Sequence, residues 1–322
     1  AARWEHGGVL DPVSALLLDE AGELPRDFCV IDDAGGALCR ALPATKVTPV
    51  AHCDDIRDEA HLPATVRVAD SLAEAVTGAS LVIARLPKGL DALDELAATV
   101  ASLADPAVRL VAGGRVKHMT RAQNDVLGRH FAHVRASLGR QKSRVLHASA
   151  PRSNQIGWPR SRRHDDLGLS VVAHGRVFAG NRLDAGTRLL LDALATEDAP
   201  APGGRAVDLG SGSGVIAAHL ARRGWSTSAV DVSAAAVAST LATASANGVT
   251  VDATRGVGLN HHPDASAEII VTNPPFHVGE AKDSTPTIAM LADAGRVLAP
   301  GGRLWVVWNA HLPYLPLLRR IG

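Results

Sequence analysis

The chain has few cysteines, no net charge and no long apolar run, and each shortage removes a class of protein. Only Cys29, Cys39 and Cys53 occur in 322 residues. An odd, widely spaced set fits buried thiols in a reducing compartment better than a disulfide scaffold or a zinc site. No run of about 18 apolar residues exists, so no membrane span is expected. No charged-then-apolar start marks a secretion signal. The 33 basic side chains balance 33 acidic ones, which argues against a wholly basic nucleic-acid binder. Acidic residues are also missing locally, with none between Asp125 and Asp165. That interval carries Arg129, Arg135, Arg140, Lys142, Arg144, Arg152, Arg160, Arg162 and Arg163, with four histidines and Trp158. Such a run is an electrostatic footprint for phosphates, although a solvated linker shares the composition. What is plentiful is apolar: 46% of residues are hydrophobic, in a chain long enough for two domains.

The most informative stretch is Ile269-Ile270-Val271-Thr272-Asn273-Pro274-Pro275-Phe276. An apolar strand runs into one amide, one rigid carbonyl and one aromatic ring. An exocyclic amino nitrogen on a base is a poor nucleophile, because its lone pair is delocalised into the ring. Two acceptors on its N–H groups can draw it toward tetrahedral geometry and expose the lone pair. The side-chain oxygen of Asn273 and the carbonyl of Pro274 could act so. Such bonds are worth about 1.5–3 kcal/mol each to a group developing charge, and more in the transition state than before it. The prolines fix φ and pre-set the carbonyl direction. Phe276 offers a face for a base taken out of its helix. Asn-Pro also initiates plain turns, so the motif needs company.

The company is Ala206-Val207-Asp208-Leu209-Gly210-Ser211-Gly212-Ser213-Gly214. A short strand enters a glycine-rich turn, and a helix follows from Val215. Glycines let the backbone approach a ligand and take positive φ, and the helix start adds unpaired N–H groups. The spacing is G-x-G-x-G and not the dinucleotide pattern G-x-G-x-x-G. Asp231 ends the next strand, where a carboxylate can take the hydroxyls of a ribose. It could instead cap the following helix, a task open to Ser233.

From about Leu169 to Gly322 the sequence resembles a class I S-adenosylmethionine-dependent methyltransferase of the amino-methylating kind. More narrowly, it is similar to the bacterial ribosomal RNA guanine-N2 methyltransferases of the large- and small-subunit branches. The likeness rests on Gly175-Arg176-Val177-Phe178 with Leu183-Asp184-Ala185-Gly186, on Asp208 to Gly214, on Asp231-Val232-Ser233, on Asn273 to His277, and on Asn309-Ala310-His311-Leu312-Pro313-Tyr314. Residues 28–42, 85–96 and 108–118 resemble the N-terminal domain of the large-subunit branch, which favours 23S over 16S RNA as target. The resemblance implies S-adenosylmethionine over Gly210 to Gly214 (Ser211 included), its ribose on Asp231 beside Val232, and its amino acid end near Asp208. It implies a flipped guanine on Phe276, held by Asn273 and Pro274. His277, His311, Tyr314 and Phe178 would line the substrate side, and Arg140, Lys142, Arg144, Arg160, Arg162 and Arg163 would meet phosphates. No strong general base is required, and His277 reads more simply as a contact than as one.

Along the chain, strands and helices alternate twice, which implies α/β folding with covered parallel sheets. Strands are predicted at 28–32, 45–50, 65–69, 80–85 and 108–112, with an antiparallel pair at 131–138 and 142–149. In the second half they are predicted at 206–210, 227–231, 249–253, 268–272 and 303–308. Predicted helices cover 34–42, 89–103, 120–129, 213–223, 234–246 and 284–298. The halves read as two tandem Rossmann-like methyltransferase domains. The first, 1–150, is degenerate: it has Asp32-Asp33-Ala34-Gly35-Gly36 for the glycine loop and Arg85-Leu86-Pro87-Lys88 for Asn-Pro-Pro-Phe. It is therefore expected to bind RNA or act as a scaffold. A basic linker is expected at 151–168, and the catalytic domain at 169–322.

Two departures stand out. Thr254-Arg255-Gly256-Val257-Gly258 brings no carboxylate to the adenine end. The residues up to Gly322 also supply at most the start of the closing antiparallel hairpin usual in such sheets, so an open edge or a covering neighbour is expected. The start at Ala1 suggests a trimmed terminus. The expected protein is a cytoplasmic monomer acting on ribosomal RNA or a ribosomal subunit, without metal or membrane. Rival readings are methylation of adenine N6 or of a protein glutamine, an NAD-dependent oxidoreductase, and a non-catalytic RNA-binding assembly factor.

Overall fold

A computed structural model describes residues 10–42, 48–153, 155–274, 285–309 and 314–321. The chain divides into two compact units, Ala1–Trp158 and Pro159–Gly322.

Among its described residues the first unit holds seven strands: β1 Phe28–Ile31, β2 Val50–His52, β3 Arg67–Val68, β4 Leu81–Arg85, β5 Arg109–Arg115, β6 Phe131–Ala136 and β7 Ser143–Pro151. They form one sheet in the order β3-β2-β1-β4-β5-β7-β6. The strands from β3 to β5 are parallel, and β7 runs antiparallel to both β5 and β6. β1 and β4 are apolar at every central position because both faces are covered. Cys29, Ile31, Val82 and Ala84 face one core, built with the helices Leu90–Leu103 and Arg121–His130. Phe28, Val30, Leu81 and Ile83 face the other, closed by Leu16, Leu17 and Leu18 of the helix Pro12–Ala21. The three cysteines are buried and form no disulfide, and burial pushes the Cys29 and Cys53 thiols up to about 12.

The second unit opens with a hairpin, β8 Arg160–His164 against β9 Leu169–Ala173. A parallel sheet follows from β10 Arg205–Leu209, β11 Ser226–Asp231, β12 Asp252–Arg255, β13 Ala267–Thr272 and β14 Leu298–Val306, in the order β12-β11-β10-β13-β14. That is the same winding as β3-β2-β1-β4-β5. In each unit the strand order reverses between the first strand and the fourth, and the crevice there is where such sheets bind ligands.

Residues 160–164, expected within a linker, are a strand instead. The apolar alternation of β9 (Leu169, Val171 and Ala173 buried) creates an edge that β8 pairs with on one side. The other edge of β9 is closed by a helix. Backbone N–H groups of Ser170, Val172 and His174 donate to Asn247 Oδ1, Thr243 Oγ1 and Ser239 Oγ at 2.9, 2.9 and 3.0 Å. Thr243 and Asn247 return bonds to the carbonyls of Val172 and Ser170 at 3.0 and 2.7 Å. Four helical residues rise about 6 Å and two strand residues about 6.6 Å. Side chains spaced by four along the helix can therefore stand in for a third strand.

Other boundaries also move. The helix expected over 34–42 is a short turn, Ala34–Gly36, and a helix, Ala37–Ala41, separated by positive φ at Gly35 and Gly36. β12 begins at Asp252, and β14 begins at Leu298, ahead of Gly301-Gly302. The helices Pro12–Ala21 and Ala185–Leu194 were not predicted.

Candidate active site

The glycine turn leaves β10 at the crevice. Gly210, Gly212 and Gly214 all have positive φ, at 76°, 53° and 73°. A Cβ on Gly210 would meet nothing within 4 Å, and on Gly212 only Val177 at 3.9 Å. The turn is thus open on one side. Gly214 is the reverse: a Cβ there would lie 2.5 Å from Thr240 Cα. The turn presses on the helix Ala234–Ala246, whose alanines, serines and threonines permit it, and Ser211 Oγ meets Thr240 Oγ1 at 2.9 Å.

Asp208 lies beneath this turn with 1% exposure. Its Oδ2 accepts from Ala217 N at 2.9 Å, while its Oδ1 is buried without a partner. Burial pushes the carboxyl up to about 7, the Ala217 N–H opposing and the nearby Asp231 adding. An orphaned, reluctantly ionised carboxylate beside an open turn suits a cationic group. Asp231 ends β11, with Oδ2 accepting from Gly212 N and Oδ1 from Ser233 N, both at 3.0 Å. The cap of the next helix is Ser233, which accepts from Ala236 N. Asp231 therefore ties the glycine turn to the β11 loop. The Val232 carbonyl in that loop accepts from Arg255 Nε at 3.4 Å.

Across the crevice, Thr272 Oγ1 donates to Leu209 O at 2.6 Å and pins the end of β13 to the end of β10. Asn273 follows. Its Nδ2 donates to Asp184 Oδ1 at 3.1 Å, to Asp184 Oδ2 at 3.3 Å and to Thr187 Oγ1 at 3.0 Å. Asp184 caps the helix Ala185–Leu194 through Gly186 N and Thr187 N, and Thr187 Oγ1 donates to it at 2.6 Å. A carboxylate only accepts, so the amide nitrogen must face it and the amide oxygen points elsewhere. Pro274 is buried. Pro275, Phe276, His277 and His311 lie outside the described residues.

Tyr314 is 1% exposed. Arg140 is ion-paired with Asp19, and His147 Nε2 meets Glu20 Oε2 at 2.8 Å, both acids coming from the helix Pro12–Ala21. The 140–147 stretch is thereby partly neutralised by residues far off in sequence. Lys142 is exposed, and Arg144 Nε donates to Ser137 O at 2.7 Å. Trp158 donates from Nε1 to buried Asp94 at 3.0 Å, which also meets His130 Nε2 at 2.9 Å. Arg160, Arg162 and Arg163 stand exposed on β8, with Arg163 3.5 Å from Asp165. Phe178 is 80% exposed, next to the Val177 that faces Gly212.

The first unit repeats this plan with different residues at the strand ends. Asp33 is fully buried and accepts from Leu38 N and Cys39 N, both at 2.8 Å. A Cβ on Gly36 would lie 2.2 Å from His61 O, and Arg40 donates to that carbonyl at 2.7 Å and to Gly35 O. Each turn is thus closed at its last glycine, Gly36 or Gly214, and open at an earlier one, Gly35 or Gly210. At the end of β4, Arg85 donates to Asp11 at 2.5 Å and to Ser14 at 2.7 Å. Asp11 caps its helix as Asp184 does. A repeat missed in the sequence announces this: Leu10-Asp11-Pro12-Val13-Ser14-Ala15-Leu16-Leu17-Leu18 aligns with Leu183-Asp184-Ala185-Gly186-Thr187-Arg188-Leu189-Leu190-Leu191.

Comparison with known proteins agrees with both halves. Residues 13–152 match the RLMG N-terminal domain, and residues 168–321 the methyltransferase small domain. A protein of Streptomyces coelicolor named ribosomal RNA large subunit methyltransferase G is 34% identical over 314 residues, covering 91% of this chain and 82% of that protein. One of Chromohalobacter salexigens named ribosomal RNA small subunit methyltransferase C is 41% identical over 152 residues, 47% of this chain and 45% of its own length. Among solved structures, a T. thermophilus 16S rRNA N2 methyltransferase in complex with AdoMet and guanosine superposes with a TM-score of 0.79 at 24% identity, covering 96% of this chain and 86% of that one. At that identity the likeness establishes the fold.

Proposed function

The chain belongs to the ribosomal RNA large subunit methyltransferase G family, and on that premise we propose that it methylates the exocyclic N2 amino group of a guanine in ribosomal RNA, 23S being the favoured molecule. The observation that carries this reading is Asn273. Its amide nitrogen is held by Asp184 and Thr187 at the switch point, so its oxygen is an acceptor of fixed direction beside the glycine turn.

S-adenosylmethionine, when bound, supplies a methyl group made electrophilic by its sulfonium. The residues present fit it: the turn, open at Gly210 and Gly212, admits its backbone-hugging part, Asp208 offers an unpartnered carboxylate oxygen to a cationic amino end, and Asp231 offers a carboxylate to ribose hydroxyls. Asn273 Oδ1 and the Pro274 carbonyl accept from the two N–H groups of the guanine amine and turn its lone pair outward. These bonds strengthen as positive charge grows on the nitrogen, so they lower the barrier more than they tighten binding. No side chain has to take the proton during transfer, since an alkylated ammonium is acidic enough to lose it to water. Phe178, exposed beside Val177, is a surface for a base, and Arg160, Arg162 and Arg163 on β8 supply positive charge for the RNA backbone. Such work belongs in the cytoplasm, where ribosomes are assembled.

The test is labelled methyl transfer to 23S RNA, 16S RNA and assembled subunits, with nucleoside mass analysis. N2-methylguanosine in 23S RNA is expected. Methyl on adenine or on protein would overturn the reading. Asn273→Ala should lower the transfer rate at least 100-fold with the cofactor Kd within twofold.

A further inference from the structure

The duplicated cap clusters differ at one position, and the difference is chemical. In the first unit a helix-capping aspartate and a hydroxyl three residues on, Asp11 and Ser14, receive Arg85 from the end of β4. In the second unit, Asp184 and Thr187 receive Asn273 from the end of β13. The anchor is the same in both: a carboxylate, a hydroxyl, and an N–H donor arriving from the strand. Arginine carries donors only, whereas asparagine carries two N–H donors and an oxygen acceptor. With Arg85 the cluster is a staple between a helix start and a strand end. With Asn273 the same anchor uses both N–H donors and leaves an oriented acceptor.

We propose that Asp184 and Thr187 are positioning residues for the amino-methylation reaction, setting the Asn273 amide so that its oxygen, and not its nitrogen, faces the substrate amine. The proposal rests on the role given to Asn273 above. Thr187 is 8% exposed, and its hydroxyl donates to Asp184 Oδ2 at 2.6 Å, which leaves its lone pair for Asn273. Asp184 Oδ1 also accepts from Gly186 N and Thr187 N at 2.9 and 3.2 Å, so the carboxylate cannot turn away. Without these acceptors the amide can flip, and an N–H group would then face the substrate N–H groups. Gly186 completes the fit: a Cβ there would lie 3.1 Å from Asp184 Oδ1 and 3.4 Å from Asn273 Nδ2.

The experiment uses the full chain in single-turnover methyl transfer at saturating RNA and cofactor, with S-adenosylmethionine Kd by calorimetry and thermal unfolding beside it. Thr187→Val keeps the shape and removes the acceptor. It should slow transfer about tenfold or more, a factor typical of a lost hydrogen bond, with Kd within twofold. Thr187→Ser should restore the rate to within threefold. Asp184→Ala should slow transfer further than Thr187→Val. A wild-type rate in folded Thr187→Val and Asp184→Ala would overturn the proposal. So would a Kd that weakens in step with the rate, since that marks a merely structural role. Asn273→Ala run in parallel separates the two readings: if it too keeps the wild-type rate, the assignment of Asn273 itself fails.

Discussion

Replacing Asp208 by asparagine should reverse part of the pH dependence of the second unit's stability. Asp208 is 1% exposed and its carboxyl is pushed up to about 7 from an ordinary 3.8. Below pH ~4 the carboxyl is neutral whether the unit is folded or unfolded, and nothing is lost. Between those values the unfolded chain releases the proton and the folded one keeps it, so the folded state binds more protons and stability falls as pH rises. Above about 7 the whole penalty is present. A shift of about three units at about 1.4 kcal/mol each sets its size near 4 kcal/mol, an upper value because burial effects soften as water and neighbours adjust. Asparagine cannot ionise, and its oxygen can still accept from Ala217 N. The stability of Asp208→Asn minus that of the wild type should therefore grow by up to about 4 kcal/mol between pH 4 and pH 8. Taking a difference matters because His219 pulls the other way. Burial, with Arg223 and Arg222 adding, pushes it down to about 4. Its folded form binds fewer protons between there and 6.5, so it adds stability as pH rises, equally in both proteins. Two units make global denaturation ambiguous, so the readout is hydrogen exchange of the β10 amides without cofactor. A difference that stays flat across this range would refute the buried-carboxyl argument.

Three further outcomes follow. Gly214→Ala puts a Cβ 2.5 Å from Thr240 Cα at a φ of 73°, and should cost about 1–3 kcal/mol of stability while weakening cofactor binding at least tenfold by calorimetry. Asp231→Ala removes the acceptor for Gly212 N and Ser233 N as well as the proposed ribose contact, and should weaken S-adenosylmethionine binding at least several-fold, as a lost charge-assisted pair does; an unchanged Kd would contradict the ribose assignment. Arg162→Ala with Arg163→Ala should flatten the salt dependence of RNA binding by about one to two units of slope, measured by filter binding across salt concentrations, with cofactor affinity unchanged.

Much of this protein is legible in the order of its residues. Apolar runs at Phe28–Ile31, Leu81–Arg85, Arg205–Leu209 and Ala267–Thr272, separated by helical stretches, are local patterns, and they state two α/β units with parallel central strands. The Gly210–Gly214 turn and Asn273-Pro274 are also local, since backbone freedom at glycine and rigidity at proline need no distant partner. The Leu-Asp-x-x-Ser/Thr repeat was equally present, hidden because its spacing spans a whole unit and its fourth-strand partners, Arg85 and Asn273, do not resemble each other.

What the tertiary structure decided is who meets whom. Strand order brings Asn273 to a helix cap that lies 89 residues earlier, and helical spacing sets Ser239, Thr243 and Asn247 against the open edge of β9. Asp19 of the first helix meets Arg140 from 121 residues away, and Tyr314 is buried. Periodicity and turn chemistry act over a few residues and can be read along the chain. Pairing, burial and the direction in which an amide points depend on groups the chain order does not bring together, and they exist only once the sheet has been wound.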